Sequence, residues 1–209
     1  MSKEPNLKAK NTPILWVFFS FQIALLISLF FASYFEQIVT NFKTVFTIRA
    51  SGVLFAPLVL FVINGLLSSE VKASLVFWRI NDVLPGCRAF NIHAKKDYRV
   101  NVDRLQTLHG ILPVIPKAQN VLWYKMYKAN RDDQAVASSH GKFLLARDLA
   151  AMAFLFLVFA GVPFLILGGK PFNMVYFMIL VVIYLLLVIV AQNHGRRFVT
   201  NVLAVESIK

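Results

Sequence analysis

The chain has 209 residues, 58% of them hydrophobic, with a mean hydropathy of +0.65 and a net charge of +12 from 22 basic and ten acidic side chains. A soluble domain of this length is closer to half apolar, and here charge is missing from long runs rather than thinly spread, which excludes an ordinary water-soluble fold. The single cysteine, Cys87, excludes a disulfide within the chain.

Four windows carry no Lys, Arg, Asp or Glu: residues 11–35, 50–69, 149–169 and 171–195. Each reaches the roughly 20 residues that a helix needs to cross a hydrocarbon core of about 30 Å. The first is too long for the apolar region of a signal peptide, and no A-x-A cleavage pattern follows it. The expected fold is all-α: a polytopic membrane protein with four transmembrane helices and a small helical cytoplasmic segment between helices 2 and 3. The expected division is 1–69 (tail and first transmembrane hairpin), 70–146 (basic, aromatic cytoplasmic segment), 147–195 (second hairpin) and 196–209 (cytoplasmic tail). Nineteen of the 22 basic residues fall on the two tails and the middle segment, and three on the opposite loops. The positive-inside bias then puts both termini and the middle segment in the cytoplasm of an inner (plasma) membrane, and accounts for the net charge more simply than nucleic acid does.

In the first span Gln22, and in the second Asn64, are candidates for an intramembrane polar contact or a pore lining. Such amides typically contribute about 0.6–2 kcal/mol to helix association. No span carries an ionisable group near its centre, so the proton relay of a pump has no candidate. Pro57 in the second span and Pro163 in the third remove backbone donors and are candidate hinges. Trp16 and Trp78 fall near the inner interface, where amphipathic rings are favoured. In the outer loop after span 1, Ile38, Phe42 and Val45 recur with helical spacing.

The second span is expected to continue as helix through Ile80, until Leu84-Pro85-Gly86 breaks it. Lys95, Lys96, Arg99 and Arg104 form a basic cluster suited to anionic lipid headgroups or a protein partner. Asn101 reads as the N-cap of a short helix over residues 102–109, closed by Gly110. Pro116 suits the first position of a helix reaching residue 131. There Leu122, Trp123, Met126 and Tyr127 make an apolar stripe, opposed by Lys117, Lys125 and Lys128. That pattern fits either a headgroup-binding surface or the core helix of a small domain. A further helix should start near Asp132 or Asp133 and run into the third span, with Arg147 placed to snorkel to phosphates. The turn at residues 168–171 should fold the last two spans into an antiparallel hairpin.

Enzyme motifs are missing. No phosphate-cradling glycine loop, nucleophile elbow or HExxH helix occurs. Cys87, His93, His109 and His140 match no common zinc spacing, and the His93 and Asp97 pair sits among lysines without an activating context. Arg88 beside Cys87 would favour the thiolate, but a lone cysteine beside Pro-Gly is more often just a small residue in a turn. No cofactor is implied. The leading expectation is a non-enzymatic anchoring or sensing subunit that docks a soluble partner through its cytoplasmic segment, with homo-oligomerisation open. The alternatives are an oligomeric pore-forming or membrane-disrupting effector gated by that segment, and a small lipid-modifying enzyme.

Overall fold

The computed structural model describes residues 7–40, 62, 65–168 and 170–209. The described elements are α1 (Leu7–Thr40), α2 (Ser69–Phe77), a 3-10 turn (Pro85–Arg88) leading into a π-helical turn (Ala89–Ala94), α3 (Val102–His109), α4 (Pro116–Ala129), α5 (Gln134–Phe156), a second π-helical turn (Leu157–Gly161), α6 (Val162–Leu167) and α7 (Phe172–Ser207). Among the described residues there is no strand.

Three stretches are long and apolar enough to cross a membrane: Lys10–Ala32, Gln134–Leu167 and Phe172–Ser207. They carry the first, third and fourth charge-free windows. The second window lies largely outside the described residues, and Pro57 and Asn64 lie outside them altogether. The all-helical class stands, and the three long apolar helices are those of a membrane protein.

The chain groups into two compact units, one of residues 1–68 and 148–187, the other of residues 69–147 and 188–209. In the first unit Phe19, Leu26 and Phe30 line one face of α1. They join Met152, Leu155, Phe156, Ala160, Phe164, Tyr176 and Leu180 in a common core. The Phe19 and Phe156 rings meet edge to face at 5.7 Å, as do Phe164 and Tyr176 at 5.3 Å. These same helices stay apolar on their outer faces, where Val17, Phe21, Met178, Val182 and Leu186 are exposed. A helix apolar all round needs hydrocarbon or protein on every side. Asn173 Nδ2 donates to the Leu165 carbonyl at 2.9 Å, fastening the short connection between α6 and α7. Pro163 stands in the first turn of α6, directly after the π-helical turn. The wider turn accommodates the missing donor and bulky ring of the proline within a continuous helical course.

In the second unit the core gathers Phe90, Val100, Leu105, Trp123, Met126, Val136, Phe143, Phe198, Val199, Val202 and Leu203. Several local expectations hold here. Asn101 Oδ1 accepts from Arg104 N at 2.9 Å and caps α3, and Gly110 ends that helix with φ +75°, an angle that favours glycine. Asp133 Oδ1 accepts from Ala135 N at 2.8 Å and Val136 N at 3.1 Å, starting α5.

Three expectations need correction. Helix α2 ends at Phe77 rather than at Ile80, because Trp78 takes a left-handed φ of +52° and Asp82 one of +50°. A bulky residue in that region reverses the chain at a cost of about 1–2 kcal/mol. Helix α4 ends at Ala129 rather than residue 131, where Asn130 Nδ2 turns back onto the Met126 carbonyl at 2.8 Å. The stretch 196–209 is no tail. It is helical to Ser207, with Arg196 and Arg197 exposed while Phe198, Val199, Val202 and Leu203 are buried at helical spacing.

Candidate functional site: a basic cavity

The cavity belongs to the second unit, and its geometry begins at Gly86. A Cβ there would come within 2.6 Å of the Trp123 ring and also strike the Asn120 side chain, so glycine permits the close approach to α4. The chain then coils through Pro85–Arg88 and Ala89–Ala94. The start of any helical turn leaves backbone N–H groups without partners. Gln119, fully buried on α4, supplies them. Its Oε1 accepts from Phe90 N at 3.0 Å and Asn91 N at 3.2 Å, and its Nε2 donates to the Val114 carbonyl at 2.8 Å. Arg88 Nη1 donates to the Asp82 carbonyl at 3.0 Å.

Helix α7 forms the opposite wall. Gln192 Nε2 donates to the Val76 carbonyl at 2.8 Å, one of the free acceptors at the end of α2. Arg196 follows one turn later. Between these walls lies a cavity of about 290 Å³ lined by Arg79, Arg88, His93, Lys96 and Arg196, with Phe77, Pro85, Ile92 and Gln192 completing it. A second, more open cavity of about 410 Å³ shares His93, Lys96 and Arg196 and adds Asp97, Tyr98, Arg99, Arg197 and Thr200. The shared side chains make the two adjoining chambers.

Among the described residues no acidic side chain lines the inner chamber. Burial pushes the His93 imidazole down to about 4, reinforced by Arg196, Arg79, Arg88 and Lys96. It is therefore neutral at pH 7. Burial, then Arg88 and Arg196, also lowers Arg79. In the outer chamber Asp97 is already committed: its Oδ1 accepts from Arg99 Nε at 3.0 Å and its Oδ2 from Arg99 Nη2 at 2.8 Å. Those hydrogen bonds from Arg99 hold its carboxyl well below the usual range despite some burial.

Among the residues expected from sequence, Lys96 and Arg99 line these chambers, while Lys95 is exposed outside the lining. Arg104 instead donates from Nη2 to the Lys209 carbonyl at 2.9 Å. Lys117, Lys125 and Lys128 are exposed on the outer face of α4, with Lys128 Nζ 5.2 Å from the centre of the Tyr124 ring. Trp123 and Arg147 are not on a surface: each is 6% exposed. Trp123 packs edge to face on Phe198 at 5.1 Å, and the Arg147 guanidinium lies 5.9 Å from the centre of the Phe143 ring. The apolar stripe of α4 is thus a core stripe. Gln22 is fully buried, and neither of its amide atoms has a partner among the described residues.

The cysteine and the histidines serve separate ends. His109 Nε2 lies 2.9 Å from Glu206 Oε1. His140 stacks on Phe198 at 4.6 Å and meets the Tyr127 hydroxyl at 3.0 Å. Cys87 is buried, and burial followed by Asp82 pushes its thiol up. The opposing influence of Arg88 does not prevail. Among the described residues no three His, Cys, Asp or Glu side chains gather to hold a metal.

Arg79, Arg88, Arg196, Gln119 and Gln192 were missed as site residues. The readable signal was Gln192 and Arg196 at i, i+4 on one helix, at the end of the last charge-free window. No family model matches this chain, and neither do any curated protein or solved structure.

Proposed function

We propose that this is a non-enzymatic, multi-pass protein of the inner (plasma) membrane, with four spans, both termini in the cytoplasm, and a cytoplasmic unit that docks an acidic partner. One observation carries the proposal. Sixteen of the chain's 22 basic residues and seven of its ten acidic ones fall in the unit of residues 69–147 and 188–209, giving it a net charge of +9. That unit is cationic where the long apolar stretches 149–169 and 171–195 carry no charge at all. Such a distribution favours retention on the cytoplasmic side and attracts acidic surfaces through a field that salt screens.

The test has two parts. Reporter fusions after residue 120 and after the C-terminus should both report the cytoplasm; opposite sides would overturn the topology. Photo-crosslinking from exposed positions of α4 should capture one cytosolic protein of acidic surface, and Lys117→Glu with Lys125→Glu should abolish the capture. Capture that ignores this charge reversal would overturn the docking mode.

A further inference from the structure

The geometry points to a phosphate-recognition site in the inner chamber, formed by Arg79, Arg88, His93, Lys96 and Arg196 and suited to a dianionic phosphoryl group. It deepens the proposed function, since it names what a sensing cytoplasmic unit would receive. Four cationic side chains and an imidazole converge from three places: the end of α2, the coiled segment 85–96 and α7. Among the described residues no carboxylate lines the chamber, so they do not neutralise its charge from within.

Like charges gathered in a half-buried cavity repel one another, and the amides of Gln119 and Gln192 that hold its walls bring no opposite charge to relieve them. Gln119 fixes the coiled segment and Gln192 fixes the end of α2. A monocarboxylate would leave most of the positive charge unanswered. A phosphate presents several oxygens and close to two negative charges at pH 7, and the planar forks of arginine match those oxygens in pairs. The outer chamber, reached past His93, Lys96 and Arg196, leaves room for whatever the phosphate is esterified to. Tyr98 and Arg197 stand there as its neighbours. The combined space lies within the range of small-molecule sites, roughly 300–1,000 Å³.

The phosphoryl group can come from a soluble compound or from a phosphomonoester lipid headgroup, and two arms separate these sources. In the first, full-length protein in lipid-free detergent is titrated with inorganic phosphate by calorimetry. In the second, it is reconstituted into nanodiscs of phosphatidylcholine with and without phosphatidic acid, and the lipid retained on purification is quantified. Arg196→Gln and Lys96→Gln, both at exposed positions, should each weaken binding at least about tenfold, the loss expected for one charge-assisted hydrogen bond. Lys142→Gln, exposed on α5 and not among the lining residues of either chamber, should leave it unchanged. Saturable binding in the first arm with that variant pattern supports a soluble phosphate compound. Enrichment of phosphatidic acid in the second arm alone, with the same pattern, supports a headgroup. Binding in neither arm, or binding that the two variants leave intact, overturns the site. The reporter fusions read sidedness independently, so the site can fail while the topology holds, and the reverse.

Discussion

Replacing Gln119 by Leu should loosen the segment that carries Arg88, His93 and Lys96, because one side chain satisfies both of its leading amides. Leu fills nearly the same volume, so the change isolates hydrogen bonding from packing. Phe90 N loses its 3.0 Å acceptor inside the core and Asn91 N loses its 3.2 Å acceptor in a half-buried position. The Val114 carbonyl keeps one donor, Asn91 Nδ2 at 3.1 Å, so it is not orphaned. An unsatisfied amide inside the core at about 1–3 kcal/mol and a half-buried one at about 1–2 kcal/mol give a loss of roughly 2–5 kcal/mol. Local opening of residues 89–94 should rise in proportion, from about 30-fold to a few thousand-fold faster amide exchange if opening is local. Hydrogen–deuterium exchange of the full-length protein in detergent reads this directly. Exchange of residues 89–94 in Gln119→Leu within threefold of the parent would refute the capping role.

Gly86→Ala should destabilise the protein by about 1–3 kcal/mol through overpacking against Trp123; an unchanged thermal midpoint would mean that the approach of Gly86 to α4 is looser than described. The low value of His93, about 4 against 6.5, means that the unfolded chain binds more protons between those limits. Its contribution is complete above pH 6.5 and is lost as pH falls towards 4, by about 2–3 kcal/mol. A His93→Gln variant should flatten that part of a stability-versus-pH curve, and parallel curves would count against it. Glu206 binds His109 at 2.9 Å, Asn130 at 2.5 Å and Lys209 at 2.9 Å, so Glu206→Gln should cost about 1–3 kcal/mol in denaturant unfolding. A loss under 0.5 kcal/mol would make this cluster incidental. Arg79→Gln should raise the thermal midpoint of the ligand-free protein slightly, by up to about 1 kcal/mol, since it relieves repulsion from Arg88 and Arg196; a fall would mean that Arg79 supports the fold rather than straining it.

The long apolar helices were legible because charge is absent from windows of the right length, a signal that depends on composition alone. The caps at Asn101, Gly110 and Asp133 were legible because capping chemistry is local. What escaped was set by distant partners. Nothing around Gln119 in sequence says that it serves Phe90 and Asn91, nearly thirty residues away. The stripe Leu122, Trp123, Met126 and Tyr127 suited a membrane surface as well as a core, and only the aromatic rings of α7 distinguish the two. Arg196 and Arg197 read as a charged tail because the buried stripe of Phe198, Val199, Val202 and Leu203 interleaves with them at a spacing that continues the preceding span.

The choice of amides beneath the cations is the feature that makes the chamber chemically distinct. A carboxylate at position 192 would stand one helical turn from Arg196 in the chamber wall and quench part of the field, as Asp97 does for Arg99 in the outer chamber. Glutamine satisfies the same backbone groups without altering the charge. The two structural demands, holding the coiled segment against α4 and holding the end of α2 against α7, are thus met by neutral groups. Of the acidic residues of this unit, Asp82 acts on Cys87 and Asp97 is held by Arg99 in the outer chamber, while Glu206 stands at the far end of α7 and Asp133 at the start of α5. Arg79, Arg88, Lys96 and Arg196 are left facing one cavity, Lys96 and Arg196 from positions also open to water. Repulsion of this kind lowers stability without improving packing, so its persistence in a folded chain is better explained by an anion that relieves it than by any role in holding the helices together.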